Sequence, residues 1–348
     1  MGSVYTRLLL TGVLYLHISA SVAGLSAQVM AFVDEATQEH ALFKEDVVRL
    51  LEQAQHKQDI IDKITGRAEK KGWYQYRPIF LNELRISKGV DFWNKNAELL
   101  RKAEETYGVA PEIIVAILGV ETYYGERAGN TRVIDALFTL AFGYPERAPF
   151  FREELKQFLL LANEAVFDPA TVTGSYAGAM GAPQFISSSY RKFAVDADGD
   201  DHIDLWKNNA DIIASVANYF AVHGWKTGEP VAVQASNVDK EKHSPLFYSE
   251  GDRPLKEVID PEDLPNHSLS ELTGAGIRLE KALDGGAIAY LMPFEATEGQ
   301  FEYWAGMHNF YVITRYNRSP LYAMAVYQLS REISGRRQAK EGGPVATP

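Results

Sequence analysis

The sequence predicts a mainly α protein, α+β in class, in which a helical body carries a small α/β insert. Three observations predict it. Apolar residues recur at helical spacing along residues 28–107 and again from Pro111 onward. Between 229 and 306 the period changes to two, with VAVQA and AIAYLMPF alternating as half-buried strands do. A helix signal then returns at Ser319-Pro320, so residues 307–333 complete the body that residues 28–228 begin.

Along the first stretch, Val47, Leu50, Leu51 and Ala54, then Ile60, Ile61 and Ile64, keep to one helical side. Pro78 is expected to break the pattern within WYQYRPIF. GVDFWNKN leads into a helix over Ala97 to Tyr107. Pro111 suits a first-turn position because its ring presets φ, and Glu112 complements the helix dipole. Gly125 and Gly129 end that helix, and Asn130 or Thr131 caps the next, which carries Val133, Ile134, Leu137 and Leu140. Further helices are expected from about Pro149 to Glu164, from Ile212 to His223, and from Ser319-Pro320 to about Ile333. Inside the insert, Ser268 and Glu271 form a capping-box pattern. The polar, Gly- and Pro-containing tail, 334–348, reads as disordered.

The chain has 348 residues, 46% of them hydrophobic, enough for a sizeable core. A net charge of -11 lacks the basic footprint that nucleic acid requires. With no cysteine there is no disulfide, no thiolate metal site, no Cys nucleophile and no lipid-modified N-terminal Cys. Residues 1–27 read as a weak secretory signal: Arg7, then a mostly apolar run from Leu8 to Leu25, with small residues offering cleavage after Ala23 or Ala27. Cleavage is favoured over an uncleaved anchor, although the run approaches the ~20 residues that span a bilayer. The product is expected to be exported and free of the membrane.

The most informative stretch is ILGVETYYGERAGNTRVIDALFTLAF, residues 117–142. A run without polar side chains, Ile113 to Val120, ends in Glu121. An acid at the edge of an apolar helix is poorly solvated, which raises its pKa and lets it hold a proton near neutrality. Glu121 is therefore the candidate catalytic acid, against the plainer reading that the helix simply surfaces there. Glycoside hydrolysis ordinarily needs two carboxylates. The sequence does not single out a partner: Glu126, five residues on, falls on a different helix face and reads as surface, and Asp135 and Glu146 carry no special signal. No nucleophile elbow, phosphate-binding glycine loop or zinc pattern is present.

The loop DADGDDHIDLWKNNAD, Asp196 to Asp211, alternates carboxylates at Asp196, Asp198 and Asp200, as EF-hand calcium loops do. His202 would offer its backbone carbonyl. Two departures stand out. Asp201 sits where a glycine usually makes the turn, and Lys207 where a bidentate Glu closes the shell. Asp204 or Asp211 would have to replace that Glu. Otherwise the loop is simply acidic and solvated.

Several blocks in order then carry a resemblance. GVETYYG with NTRVIDALFTLAFGYPERAPFF, GSYAGAMGAPQF, the acidic loop, SVANYFAVHGW and NFYVITRYNRSPLYAMAVYQL together resemble the lytic murein transglycosylase B family. With WYQYRPIF and RISKGVDFW upstream, the similarity covers roughly residues 30–333.

The resemblance implies a lysozyme-like helical catalytic domain with a small inserted domain, acting on peptidoglycan glycan strands in the periplasm. It implies cleavage of the β-1,4 bond from N-acetylmuramic acid to N-acetylglucosamine, leaving a 1,6-anhydro end. The sugar's own C6 hydroxyl would be the nucleophile, tethered and so at high effective concentration. One carboxyl, Glu121, would then serve as acid and afterwards as base. No cofactor enters this chemistry. The resemblance further implies that Ser175 and Gln184 bond Glu121 or the substrate. Tyr144, Arg147, Tyr219, Tyr316 and Asn317 would line the cleft. A structural calcium would lie at Asp196, Asp198, Asp200 and His202, and other cell-wall enzymes would be partners. The rivals are a hydrolytic muramidase on the same fold, whose product is one water heavier, and a non-catalytic peptidoglycan-binding scaffold.

Overall fold

The computed structural model describes residues 24–66, 72–164, 166–247 and 267–341. The expected signal segment therefore lies mostly outside the described residues. No described helix is long and apolar enough to cross a membrane.

Among the described residues seven helices come first: α1 (Ala27–Glu39), α2 (Lys44–Leu51), α3 (Gln58–Thr65), α4 (Trp73–Phe80), α5 (Glu83–Lys95), α6 (Ala97–Tyr107) and α7 (Pro111–Thr122). The short strand β1 (Thr131–Arg132) pairs antiparallel with β2 (Thr173–Gly174), across α8 (Val133–Gly143) and α9 (Ala148–Asn163). Next come α10 (Ser187–Phe193) and α11 (Asn209–Val222). The sheet region follows: β3 (Ala232–Ser236), β4 (His267–Ser268), α12 (Leu269–Gly274), β5 (Arg278–Leu279), β6 (Ile288–Thr297) and β7 (Gln300–Gly306). Two helices come last among the described residues, α13 (His308–Tyr316) and α14 (Pro320–Glu341).

Helix α7 is the axis of the body. Pro111 occupies its first turn with Glu112 behind it, and every residue from Ile113 to Val120 is buried. A helix apolar on all sides is stable only when other elements surround it, and α5, α6, α11 and α14 all pack on it.

The sheet is antiparallel, in the order β4-β6-β7-β3-β5. Successive side chains on a strand point to opposite faces, and β6 shows what that does here. Tyr290, Met292 and Phe294 join the main helical core. Ala289 and Leu291 join a second, smaller core with Leu269, Leu272 and Ile277. One face of the sheet thus closes the helical body and the other carries α12. The capping box of Ser268 and Glu271 starts α12 as expected.

Three local expectations are corrected. Pro78 does not break α4; the helix runs through it to Phe80. The lost backbone bond is outweighed by packing, since Trp73 is buried against Phe294 and α4 also rests on α14. The glycines at 125 and 129 do not stop α7. Tyr123, in the left-handed region, already does so, and Arg132 precedes α8 where Asn130 or Thr131 was expected. The tail is not disordered from Ser334, because α14 continues to Glu341. Arg336 holds Glu83, while Arg337 bonds Asn94 and lies over the Trp93 ring, so the added turns are tied to α5.

Candidate active site

Glu121 stands in the last turn of α7, half-buried, directly after the apolar run that ends at Val120. Burial pushes its carboxyl up from the usual 4.5 to about 7, and a hydrogen bond from Tyr322 opposes that rise. The Tyr322 hydroxyl donates to Glu121 Oε1 at 2.5 Å. Tyr322 is buried near the start of α14, two hundred residues away in sequence.

Two more phenols sense the same charge. Burial first, and Glu121 second, push Tyr76 up to about 12 and Tyr316 well above its ordinary value. The Tyr316 hydroxyl donates to the Pro183 carbonyl at 2.6 Å. Its ring packs among Phe185, Tyr219 and Phe220. Sequence reasoning missed Tyr76 and Tyr322. Both belong to motifs that were singled out, WYQYRPIF and SPLYAMAVYQL, but a Tyr in an apolar helix reads first as core. Only the fold turns these two toward an acid.

The turn after Glu121 is built to hold it still. Tyr123 and Tyr124 both have positive φ, 55° and 62°, a conformation that costs L-residues energy and needs support from its surroundings. Helix α5 supplies that support. The Arg85 guanidinium lies 3.9 Å over the Tyr123 ring, and Arg127 lies 4.4 Å from the same ring. The Tyr124 hydroxyl donates to the Arg85 carbonyl at 2.8 Å. Its path exists because two glycines leave room: a Cβ at Gly89 would come within 2.5 Å of that hydroxyl, and one at Gly119 within 2.6 Å.

Ser175 and Gln184 were expected to bond Glu121 or the substrate. Among the described residues neither bonds Glu121. Ser175 Oγ accepts the backbone N–H groups of Ala177 and Ala179, which folds the small-residue loop onto itself. Gln184, at φ 53°, donates to the carbonyls of Ala128 and Gly181. Both atoms are spent on shaping the loop. The loop in turn is fixed beside the acid, because Thr122 donates to the Ala182 carbonyl at 2.8 Å.

Tyr219 is buried and donates to the Arg315 carbonyl at 2.6 Å, so it supports Tyr316 from behind as core. Asn317 follows Tyr316, exposed, with its side-chain amide unengaged among the described residues. Tyr144 and Arg147 lie on the turn between α8 and α9. Tyr144 donates to Glu146, and the exposed Arg147 rests 4.4 Å from the Phe150 ring. No contact among the described residues joins that turn to Glu121.

The three carboxylates weighed as partners are engaged elsewhere. Glu126 pairs with Lys88, Asp135 accepts the Gln55 N–H and faces Arg132, and Glu146 accepts from Tyr144. The proton affinity of Glu121 is set by burial and a phenol, with no neighbouring carboxylate contributing.

In the acidic loop, Asp196 and Asp198 converge with Asp211 of α11, one oxygen of each within 4.8 Å of the others. Asp200 stands outside this cluster; its carboxylate accepts the His202 N–H. Asp211, fully buried, accepts N–H groups from Ala197 and Asp204. Asp204 instead caps its own turn through the N–H groups of Trp206 and Lys207. Asp201 takes φ 64° and makes the turn expected of a glycine, a conformation Asp tolerates better than most residues. No Lys or Arg pairs with the cluster among the described residues. Its donor set, all carboxylate oxygen, fits a hard divalent cation.

A partly exposed acid protonated near neutrality at the end of an apolar helix is the equipment of a general-acid enzyme that cleaves glycosidic bonds. The comparisons with known proteins say which one. Residues 24–331 match the model of the transglycosylase SLT domain. Over 318 residues, 87% of this chain and 81% of its relative, the sequence is 39% identical to the membrane-bound lytic murein transglycosylase B of Escherichia coli (strain K12). The crystal structure of the soluble lytic transglycosylase SltB1 from Pseudomonas aeruginosa matches with TM-score 0.80 and 50% identity, covering 90% of this chain and 100% of that one. The Escherichia coli lytic transglycosylase Slt35, solved in complex with calcium, matches with TM-score 0.77 and 38% identity, covering 89% and 94%. The chain belongs to the transglycosylase SLT family and is a lytic transglycosylase acting on peptidoglycan.

Proposed function

We propose that Glu121 performs both halves of the reaction on the β-1,4 bond between N-acetylmuramic acid and N-acetylglucosamine. In the first half the protonated carboxyl gives its proton to the glycosidic oxygen, and the C1–O bond breaks. In the second, the carboxylate takes the proton of the muramic C6 hydroxyl as O6 bonds to C1. The carboxyl ends protonated, the 1,6-anhydro ring is closed, and no water is consumed.

The observation that carries this reading is an acid held near pKa 7 by burial, with no carboxylate partner around it among the described residues. A value near the working pH suits a group that must give and then accept a proton. Tyr322 has the complementary task of stabilising the carboxylate between the two halves. Tyr316 and the exposed Asn317 would meet the sugar. Ser175 and Gln184 act by shaping the wall. Tyr144 and Arg147 would contact a more distant part of the strand, with the Arg147 fork suited to a carboxylate of the stem peptide.

The acidic loop is proposed to hold a structural calcium through Asp196, Asp198 and Asp211, with Asp200 and the His202 carbonyl completing the shell after local adjustment. The cation would neutralise three converging charges and tie the loop to α11; it takes no part in the bond change. The proposed setting is the periplasm, reached through cleavage of the N-terminal segment.

Weighing the muropeptides released from purified peptidoglycan tests the reading. Anhydro-muropeptides support it. Products one water heavier would mean hydrolysis, and binding without release would mean a scaffold.

A further inference from the structure

A cavity of about 920 Å³ lies between the inner face of the sheet and helices α4 and α14, with the start of α7 at its floor. Glu112 lines it and Glu121 does not. Those residues are nine positions apart, about 13 Å along the helix axis. Helices α4, α7 and α14 therefore serve two places. They gather Tyr76 and Tyr322 around Glu121, and bring Tyr74, Glu112 and Tyr327 to the cavity.

We propose that this cavity is a second binding site, for a neutral N-acetylated glycan segment. The choice of glycan rests on peptidoglycan being the substrate. Four half-buried aromatic residues, Tyr74, Trp225, Trp304 and Tyr327, come from four separate parts of the chain to line one space. Rings left partly open around a cavity offer flat apolar faces to the C–H faces of sugars, with polar edges at hand.

The polar groups among them are fixed in advance. Glu302 Oε1 accepts the indole N–H of Trp73 at 2.9 Å and that of Trp304 at 3.1 Å, which sets the plane of Trp304. Its second oxygen accepts no hydrogen bond among the described residues and is free for a hydroxyl or an acetamido N–H. Arg77 holds the Gln328 amide oxygen at 2.7 Å, leaving the amide N–H₂ turned toward Glu302 with only a long, 3.5 Å contact to it. Preorganised donors and acceptors between apolar walls, in a space of this size, are the usual make-up of a ligand pocket.

Charge narrows the ligand. Among the described residues six glutamates line the cavity against three basic residues, so a polyanion is repelled and an uncharged glycan is not. A strand held here while another part occupies the cleft would keep the enzyme on an insoluble substrate between cuts.

The test is an isothermal titration of chitotetraose into the Glu121→Gln protein, which cannot consume it, with maltotetraose as control. Two sites are expected for chitotetraose, and one when Trp304→Ala is added. Gln328→Ala is expected to weaken the second site about tenfold with no change in melting temperature. The site that remains shows that the doubly altered protein is folded. With Glu121 intact, Trp304→Ala should leave turnover of short soluble glycans unchanged and slow the digestion of whole sacculi about fivefold. A single site that survives Trp304→Ala, or two sites indifferent to both substitutions, overturns the proposal. So does equal binding of maltotetraose, or Trp304-dependent uptake of a lysine-rich peptide in place of the glycan. If the Trp304-dependent site binds and the cleft does not, this proposal is upheld and the substrate reading of Glu121 is the one that fails.

Discussion

The surroundings of Glu121 and those of Asp211 both bury a carboxylate on an apolar helix, and they treat it in opposite ways. Asp211 has no exposure and receives two backbone N–H groups, with Asp196 and Asp198 beside it. The two N–H groups favour the charged form, while burial first, and Asp198 and Asp196 after it, push its pKa up, so a charge held there calls for a cation. Glu121 is half open and receives one phenol. Its second oxygen accepts no hydrogen bond among the described residues, and its proton can leave. Burial alone does not make an acid catalytic; what matters is how much of its bonding capacity the protein leaves unspent.

Substitutions at the two places should separate cleanly. Glu121→Gln is expected to lower the formation of anhydro product by about 10³-fold or more, since it removes both acid and base. Its melting curve should match that of the parent protein. Comparable activity in the two would collapse the contrast.

Tyr322→Phe comes next. The lost bond favoured the carboxylate, so the Glu121 pKa should rise further above about 7. The acid half needs the protonated form, and activity in the parent should fall as pH rises through that value. In the variant the alkaline limb of the pH–rate profile should move to higher pH, with turnover down about tenfold from the poorer second half. A limb that stays put, or moves down, would mean that Tyr322 does not act through Glu121.

At the other place the effect should be on stability. Asp211→Asn leaves the N–H groups of Ala197 and Asp204 without a carboxylate and weakens the proposed cation site. About 2–3 kcal/mol should be lost in denaturant unfolding, with activity per folded molecule kept. Calcium at a hundred times its dissociation constant should stabilise the parent by about 2.7 kcal/mol and the variant by little. Calcium that stabilises both equally would place the ion elsewhere. The smallest change is expected far from either carboxylate. Ser268→Ala at the start of α12 should cost about 1 kcal/mol and leave the pH–rate profile untouched.

What the sequence made legible follows from how local each cause is. The Pro111 start of α7, the span Ala97 to Tyr107 and the Ser268 capping box depend on neighbours within a turn, and all three stand. The run of α4 through Pro78 and the last turns of α14 depend on contacts with distant helices, which no local pattern contains. The site divides the same way. Glu121 was visible because the apolar run before it is contiguous. Tyr322 and Tyr76 were not, because their meaning comes from facing an acid far along the chain. Asp211 was readable only as a substitute for Lys207 at the end of the acidic loop. Its convergence with Asp196 and Asp198 comes from the way α11 packs back on that loop.

The most direct measurement is the titration of Glu121 itself, by infrared difference spectroscopy of the parent protein against Glu121→Gln across pH 4 to 9. The account predicts a carboxyl band that disappears with a midpoint at about 7. A midpoint at the ordinary value of 4.5 would contradict it, because the acid would then arrive at neutral pH already ionised.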